Sequence, residues 1–147
     1  MKLNYVRVWG SKINLRNSLK FIKLWVPVIL WVALIFYLSS LPDLKTDLKY
    51  DFFLRKIAHM LEYLILTFLL FRAFKGSFDF TELFLFIYPA SLALFYAVSD
   101  EFHQLFVRGR DGSIMDVLID AVGIFSFFIL LKVFWLIRKW KALKGVI

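Results

Sequence analysis

The chain has 147 residues, and 61% of them are hydrophobic, including 18 Phe and five Trp. Soluble domains average about 45–50% apolar residues. The core of a soluble domain of this length could not bury so much apolar surface. The composition therefore excludes an ordinary water-soluble fold and favours a membrane protein. The net charge of +8 does not indicate nucleic-acid binding, because Lys and Arg are concentrated near the chain ends beside apolar runs, and the absence of cysteine excludes disulfides and thiolate metal sites.

Four apolar stretches are each long enough to cross, or nearly cross, a hydrocarbon core of about 30 Å. They cover residues 24–41, 57–74, 83–98 and 115–137, which predicts an all-α membrane protein with a bundle of about four transmembrane helices. The membrane domain is predicted over 24–137, between a basic N-terminal segment (1–23) and a basic tail (138–147). The first stretch has no small-x-small cleavage site, so we interpret it as a retained helix rather than a signal peptide.

The distribution of Lys and Arg predicts the topology. Alternate sides of the membrane carry 13 and 6 basic residues, so the positive-inside rule puts both termini in the cytoplasm. The first and third connectors then face outward. In the first one, residues 42–56, the apolar Leu44, Leu48 and Phe52 and the acidic Asp43, Asp47 and Asp51 each recur every four residues, which predicts an amphipathic helix on the outer membrane surface.

Polar residues on three of the predicted helices share the outer membrane level. Steps of three and four place Lys56, His59 and Tyr63 on one face at the start of the second helix. Exposing such a polar face to lipid would cost free energy, so we expect it to point into the bundle. The simpler interpretation is that Lys56 snorkels to the interface while His59 makes one interhelical hydrogen bond.

The third helix ends in the dense polar block Ser99-Asp100-Glu101-Phe102-His103-Gln104. If the helix continues, Asp100 lies above Gln104 and next to His103, while Glu101 turns to an adjacent face. These groups could bind a metal ion, move protons or hold a headgroup. The alternative is a solvated helix end.

Two carboxylates and a glycine share one face of the fourth helix, namely Asp116, Asp120 and Gly123. Gly123 would let another helix approach closely. The two aspartates are predicted to be functional, or else structural partners of Arg110 and Lys56. Ser113 is predicted to be the N-cap of this helix.

The first helix closes with Ser39-Ser40-Leu41-Pro42. Its hydroxyls can satisfy backbone carbonyls where Pro42 stops the helix. The alternative is that Ser39 or Ser40 is a nucleophile activated by His59 or His103, although there is no Gly-x-Ser-x-Gly elbow.

Taken together, four short blocks in this order resemble the VanZ-like family over about residues 24–131. They are Ser39-Ser40-x-Pro42, Lys56-x-x-His59-x-x-x-Tyr63, Asp100-Glu101-x-x-Gln104 with Arg110, and Asp116-x-x-x-Asp120-x-x-Gly123. The resemblance implies a four-helix membrane protein, and its name-giving member is associated with low-level resistance to the glycopeptide teicoplanin. This sequence departs from the pattern at Asp120, where family members often carry Asn.

These observations favour an outward-facing polar pocket that recognises, and in one version modifies, the headgroup of a membrane lipid or lipid-linked cell-envelope precursor. The alternative is a non-catalytic binding or scaffold protein, so the sequence leaves open whether the chain is an enzyme, as well as its oligomeric state. A divalent cation is one cofactor that the residues would suit. The predicted catalytic residues are His59, Glu101, Asp116 and Asp120, and the predicted ligand-binding residues are Ser39, Ser40, Lys56, Tyr63, Asp100, Gln104 and Arg110.

Overall fold

The computed structural model describes residues 5–8, 11–42, 51–110 and 112–144. In this part of the chain, two short strands, β1 (Tyr5–Val8) and β2 (Ser11–Asn14), precede four helices. The helices are α1 (Leu15–Ser39), α2 (Asp51–Ser77), α3 (Glu82–Gln104) and α4 (Ile114–Leu143). All four are long and apolar enough to cross a membrane, so the predicted bundle of four transmembrane helices is confirmed.

The strands at the N-terminus were not predicted from the sequence. They form an antiparallel hairpin in which Tyr5 pairs with Asn14 and Val8 pairs with Ser11. Strands of four residues are too short to give a clear alternating pattern, and this segment is interrupted by basic residues. The hairpin and the first turns of α1 therefore occupy the segment that was predicted only as basic.

The helices extend beyond the apolar stretches that predicted them. At one end α1 begins at Leu15 and α4 continues to Leu143, because long basic side chains can reach the headgroup region from the outer turns of a helix. At the other end α3 includes the polar block up to Gln104. Residues 51–56 of the predicted amphipathic connector form the first turns of α2, and residues 43–50 lie outside the described residues.

Helix α2 packs against each of the other three helices, and its most extensive contact is with α4. A Cβ atom at Gly123 would overlap the carbonyl oxygen of Met60, so only glycine fits there, and the predicted close approach at Gly123 is confirmed. Several side-chain hydrogen bonds tie α1 to its neighbours. Among them, the indole nitrogen of Trp31 donates to the Glu62 carbonyl at 3.0 Å, and the Tyr96 hydroxyl donates to the Val32 carbonyl at 2.8 Å. The core is built from buried apolar side chains: Val28, Ile35, Leu66, Leu70, Ala93, Ala97 and Ile124.

The up-and-down order of the helices gives the bundle two chemically different ends. We call the polar end the one where α1 and α3 finish and α2 and α4 begin. The aromatic end is the opposite one, around the turn between α2 and α3. There, rings pack on one another with centroid separations from 5.1 to 6.2 Å: Phe74, Phe78, Phe80, Phe84 and Tyr88.

Candidate functional site

The polar end carries acidic residues at helix positions of opposite electrostatic character. Asp116 lies in the first turn of α4, where the helix dipole favours a negative charge. Asp100 and Glu101 lie close to the end of α3, where the dipole disfavours a negative charge, yet both side chains are buried. Helix stability alone therefore does not explain why α3 ends with carboxylates.

Three ionisable side chains from three helices meet at the base of this end: His59 of α2, Glu101 of α3 and Asp120 of α4. The Nδ1 atom of His59 lies 3.5 Å from Oδ1 of Asp120. Each of the three residues offers one atom that could bind a metal ion, and these three atoms lie within 4.8 Å of one another. We call these residues the buried trio. The sequence analysis predicted that these side chains belong to one site, and their positions bring them together.

The buried trio contains polar atoms that no described residue satisfies. Both carboxylate oxygens of Asp120, the Oε1 atom of Glu101 and the Nδ1 atom of His59 are buried without a hydrogen-bond partner in the described part of the chain. The other Glu101 oxygen, Oε2, accepts a hydrogen bond from the backbone nitrogen of Ser113 at 2.9 Å. A protonated His59 would pair with only one of these oxygens, Oδ1 of Asp120 at 3.5 Å. Because the other carboxylate oxygens stay buried without a partner, and such burial is costly, this arrangement suits a bound positive group better than it suits helix packing.

The rim of the site is an ion pair between Lys56 of α2 and Asp116 of α4. Side-chain exposure falls from 22% at Lys56 to 15% at Asp116 and His59, and reaches 0% at Asp120. The polar end therefore has an accessible outer layer and a closed base. Since Asp116 already neutralises the Lys56 ammonium, Lys56 is not a lone anion-binding group.

The remaining predicted residues of α2 and α3 lie beside the trio. Gln104 donates to Oδ2 of Asp100 at 3.1 Å, and both side chains are buried. This bond spans one helical turn and fixes the orientation of the Asp100 carboxylate. Tyr63 is fully buried, its ring centroid is 6.3 Å from that of Tyr96, and its hydroxyl has no hydrogen-bond partner among the described residues.

Arg110 binds the end of α1 rather than the trio. Its guanidinium donates to the carbonyl of Leu38 at 2.9 Å and to that of Leu41 at 3.2 Å. The carbonyl of Leu38 also accepts from the backbone nitrogen of Leu41 at 3.3 Å, and Leu41 itself follows the last residue of α1. Arg110 therefore adds donors at the end of this helix and fixes the α3–α4 loop to it. The geometry gives Arg110 a structural role at the helix end and no ion pair with Asp116 or Asp120 among the described residues.

The two serines at the end of α1 also bond to backbone. Both hydroxyls donate to the carbonyl of Phe36, at 3.1 Å from Ser39 and 2.6 Å from Ser40. Ser40 Oγ is also 3.1 Å from Nε2 of His103, whose ring stacks on Phe36 with centroids 4.6 Å apart. A hydroxyl that gives its proton to a carbonyl cannot give it to the imidazole, so this geometry matches the helix-closing interpretation of Ser39 and Ser40.

The α3–α4 loop makes a contribution that the sequence analysis did not identify. A Cβ atom at Gly112 would overlap the carbonyl oxygen of Glu101, so the loop folds directly over the end of α3. The next residue, Ser113, caps α4 as predicted, since its hydroxyl accepts from the Met115 nitrogen at 3.1 Å. The signal for this contact was the glycine beside a predicted N-cap, but nothing in the sequence indicated its partner in α3.

Fold and site together define a polytopic membrane protein with a buried ionisable cluster at one end of a four-helix bundle. The family model described as VanZ/LLP1 matches residues 5–136, and the chain belongs to this family. The chain is also 37% identical over 102 residues to a Bacillus subtilis (strain 168) protein described as "Uncharacterized membrane protein YwnJ". That alignment covers 63% of this chain and 65% of the relative, so the chain spans somewhat less than two thirds of the relative's length. No solved structure matches the chain.

Proposed function

We propose that the polar end binds, and chemically modifies, the headgroup of a lipid or of a lipid-linked cell-envelope intermediate. The supporting observation is the buried trio, in which His59, Glu101 and Asp120 present unsatisfied polar atoms to one another from three helices. Ionisable groups in a membrane-spanning bundle are expensive and usually serve a ligand, an ion or a proton. At the ends of the helices, such a site is at the depth of lipid headgroups rather than of acyl chains.

The surface around the polar end is suited to an amphiphilic ligand. Four large apolar side chains beside the site are highly exposed: Phe102, Phe106, Ile114 and Met115. They can line the hydrocarbon part of a lipid whose headgroup enters past the rim.

The chemistry of the trio favours proton transfer or hydrolysis at a headgroup oxygen. An imidazole beside two carboxylates can accept and return a proton, or all three groups can hold a cation that activates water. Lys56 and Asp116 at the rim would contact the headgroup first, because they are the more exposed part of the site. Teicoplanin resistance is not part of this proposal, since no contact in the described part of the chain points to it.

Native mass spectrometry of the full chain in detergent tests headgroup binding. The probes are phosphatidylglycerol, phosphatidylethanolamine and undecaprenyl diphosphate, and diacylglycerol is the headgroup-free control. We expect Asp120→Asn to reduce retention of at least one headgroup lipid about tenfold, which corresponds to about 1.4 kcal/mol. The matched control is Glu82→Gln, an equally conservative change at an exposed acid of the aromatic end.

Two results would contradict this proposal. Headgroup binding is excluded if diacylglycerol is retained as well as every headgroup lipid, or if Asp120→Asn and Glu82→Gln retain equal amounts. The modification step is excluded if wild-type protein binds a headgroup lipid but leaves its mass unchanged after prolonged incubation. The chain would then belong to the non-catalytic binding class.

We further propose that the polar end faces the outside of the cell, as the distribution of basic residues predicts. Because the chain has no cysteine, single cysteines report topology without background labelling. Phe106→Cys is at the polar end and Phe78→Cys is at the aromatic end, and both positions are exposed. A membrane-impermeant maleimide added to intact cells should label only Phe106→Cys, whereas labelling of Phe78→Cys alone would invert the topology.

A further inference from the structure

We propose that the buried trio is a binding site for one divalent transition-metal ion of the Zn²⁺ or Mn²⁺ class. The separation of the ligand atoms supports this assignment. Two atoms bound to one such ion at about 2.1 Å lie about 3.4 Å apart at tetrahedral angles and at most about 4.2 Å apart. His59 Nδ1 and Asp120 Oδ1 are already at 3.5 Å, and all three ligands are within 4.8 Å, so small side-chain rotations complete the set.

The burial of unsatisfied oxygens is an independent reason to assign a cation. Asp120 is completely buried, Glu101 is 4% exposed, and three of their four carboxylate oxygens have no hydrogen-bond partner among the described residues. Two carboxylates and a neutral imidazole carry a charge of about −2, which a divalent ion cancels. Lys56 does not neutralise the charge of the trio completely, because its ammonium group is paired with Asp116.

The ligand set indicates the class of metal. Ca²⁺ and Mg²⁺ prefer all-oxygen sites, whereas one imidazole with two carboxylates suits Zn²⁺ or Mn²⁺. Three protein ligands also leave a coordination position open, as in sites where the metal activates a water molecule. The second carboxylate oxygen of Glu101 is held by the Ser113 backbone nitrogen at 2.9 Å, which would orient this ligand for the ion.

A bound cation also indicates which headgroups the site accepts, and this step rests on the proposed function. Without the ion, acidic side chains dominate the buried base, and Arg110 is engaged with the carbonyls of Leu38 and Leu41. A phosphate would therefore be repelled. With the ion, the base becomes neutral and offers an open metal position to a phosphate oxygen, so the geometry points to phosphate-bearing headgroups.

Metal content tests the site directly. The full chain, purified without a metal-affinity tag and dialysed against Zn²⁺ or Mn²⁺, should retain about one ion per chain by plasma mass spectrometry, because the site has three protein ligands. Asp120→Asn and His59→Gln should each lower the affinity about tenfold or more. Glu82→Gln is the control: it neutralises an exposed acid of the aromatic end that lies outside the trio, and it should keep the ion.

A second measurement does not depend on the folding of any variant: X-ray absorption at the metal edge reports the ligands of the ion in the metal-loaded wild-type protein. We expect one imidazole and oxygen ligands at about 2.0–2.2 Å. Equal metal content in wild type, Asp120→Asn and His59→Gln would overturn the site. A spectrum without imidazole, or folded wild-type protein that binds neither ion, would overturn it as well.

The phosphate step has its own readout. Loading with Mn²⁺ should raise retention of phosphatidic acid about tenfold over EDTA-treated protein and leave diacylglycerol, which lacks the phosphate, unchanged. Displacement by millimolar inorganic phosphate would identify a site for free phosphate rather than for lipid and would contradict the lipid step. Metal binding without headgroup retention would remove the proposed function and leave the metal site, whereas equal headgroup retention with and without the metal would leave the proposed function and remove the role of the metal in it.

Discussion

The two ends of the bundle differ in the side chains that pack between the helices. At the aromatic end, stacked rings fill the space between α2 and α3, and the acidic Asp79 and Glu82 are exposed. At the polar end, Asp100, Glu101 and Asp120 are buried, and all the buried carboxylate oxygens that lack a partner among the described residues lie there. The aromatic end is closed by ring stacking that leaves several rings partly exposed, whereas the polar end buries carboxylates, at a cost in free energy that helix packing does not require.

The difference shows how to separate structural from functional polar residues in a membrane bundle. Arg110, Ser39 and Ser40 each donate to backbone carbonyls of α1, so their hydrogen-bonding capacity is used within the fold. His59 and Asp120 keep atoms without partners in the described structure and face one another across two helices. Residues of the first kind stabilise the bundle, and residues of the second kind are the candidates for ligand binding.

The largest stability effect is expected where α2 and α4 cross near the polar end. In Gly123→Ala the new methyl group meets the backbone of Met60, which cannot rotate away, so overpacking should cost about 1–3 kcal/mol of unfolding free energy. The matched control is Gly76→Ala at the aromatic end, where the methyl group meets only the flexible side chain of Leu24. That change should be close to neutral.

Reversible unfolding in mixed micelles measures both glycine variants. A cost at Gly76 equal to that at Gly123 would mean that the helices are packed equally tightly at both ends, contrary to the comparison above. Unfolding of the Gly123→Ala protein should also release the bound metal, because Asp120 lies one turn before Gly123 on α4.

A smaller effect is expected for Ser40→Ala at the end of α1. The change removes one hydroxyl bond to Phe36 and the contact with His103, and it should cost about 1 kcal/mol or less. Because Ser40 closes a helix in this account, headgroup modification by the purified protein should continue at a similar rate. Complete loss of modification in a stably folded Ser40→Ala protein would instead support the nucleophile alternative.

The sequence predicted the helices well because the apolar runs are long and lipid imposes a minimum length on them. It also predicted which polar residues share a membrane level, since helical spacing places Lys56 with His59 and Asp116 with Asp120. Periodicity could not predict how these residues pair. Whether Asp116 meets Lys56 or Arg110 depends on the rotation of α4 against α2, and the close contact between Gly123 and the Met60 backbone constrains that rotation.

The helix ends and the hairpin were harder to predict for a different reason. Hydropathy reports the apolar middle of a helix, so the polar last turn of α3 and the basic first turns of α1 fell outside the predicted spans. The contact of the α3–α4 loop with Glu101 uses the backbone nitrogen of Ser113. Because almost every residue has a backbone N–H group, the sequence does not indicate which one will donate to a given carboxylate.

The central claim is that the buried trio is kept for a ligand and not for the stability of the bundle. It is tested most directly on one preparation of Asp120→Asn, by measuring the unfolding of the metal-free protein and the headgroup retention of the protein after loading with Mn²⁺, each against wild type. An amide can donate to the unsatisfied Glu101 oxygen and carries no buried charge, so the account predicts unchanged or higher stability together with about tenfold weaker headgroup retention. Lower stability with retention equal to that of Glu82→Gln would contradict it and assign the trio to the architecture of the bundle.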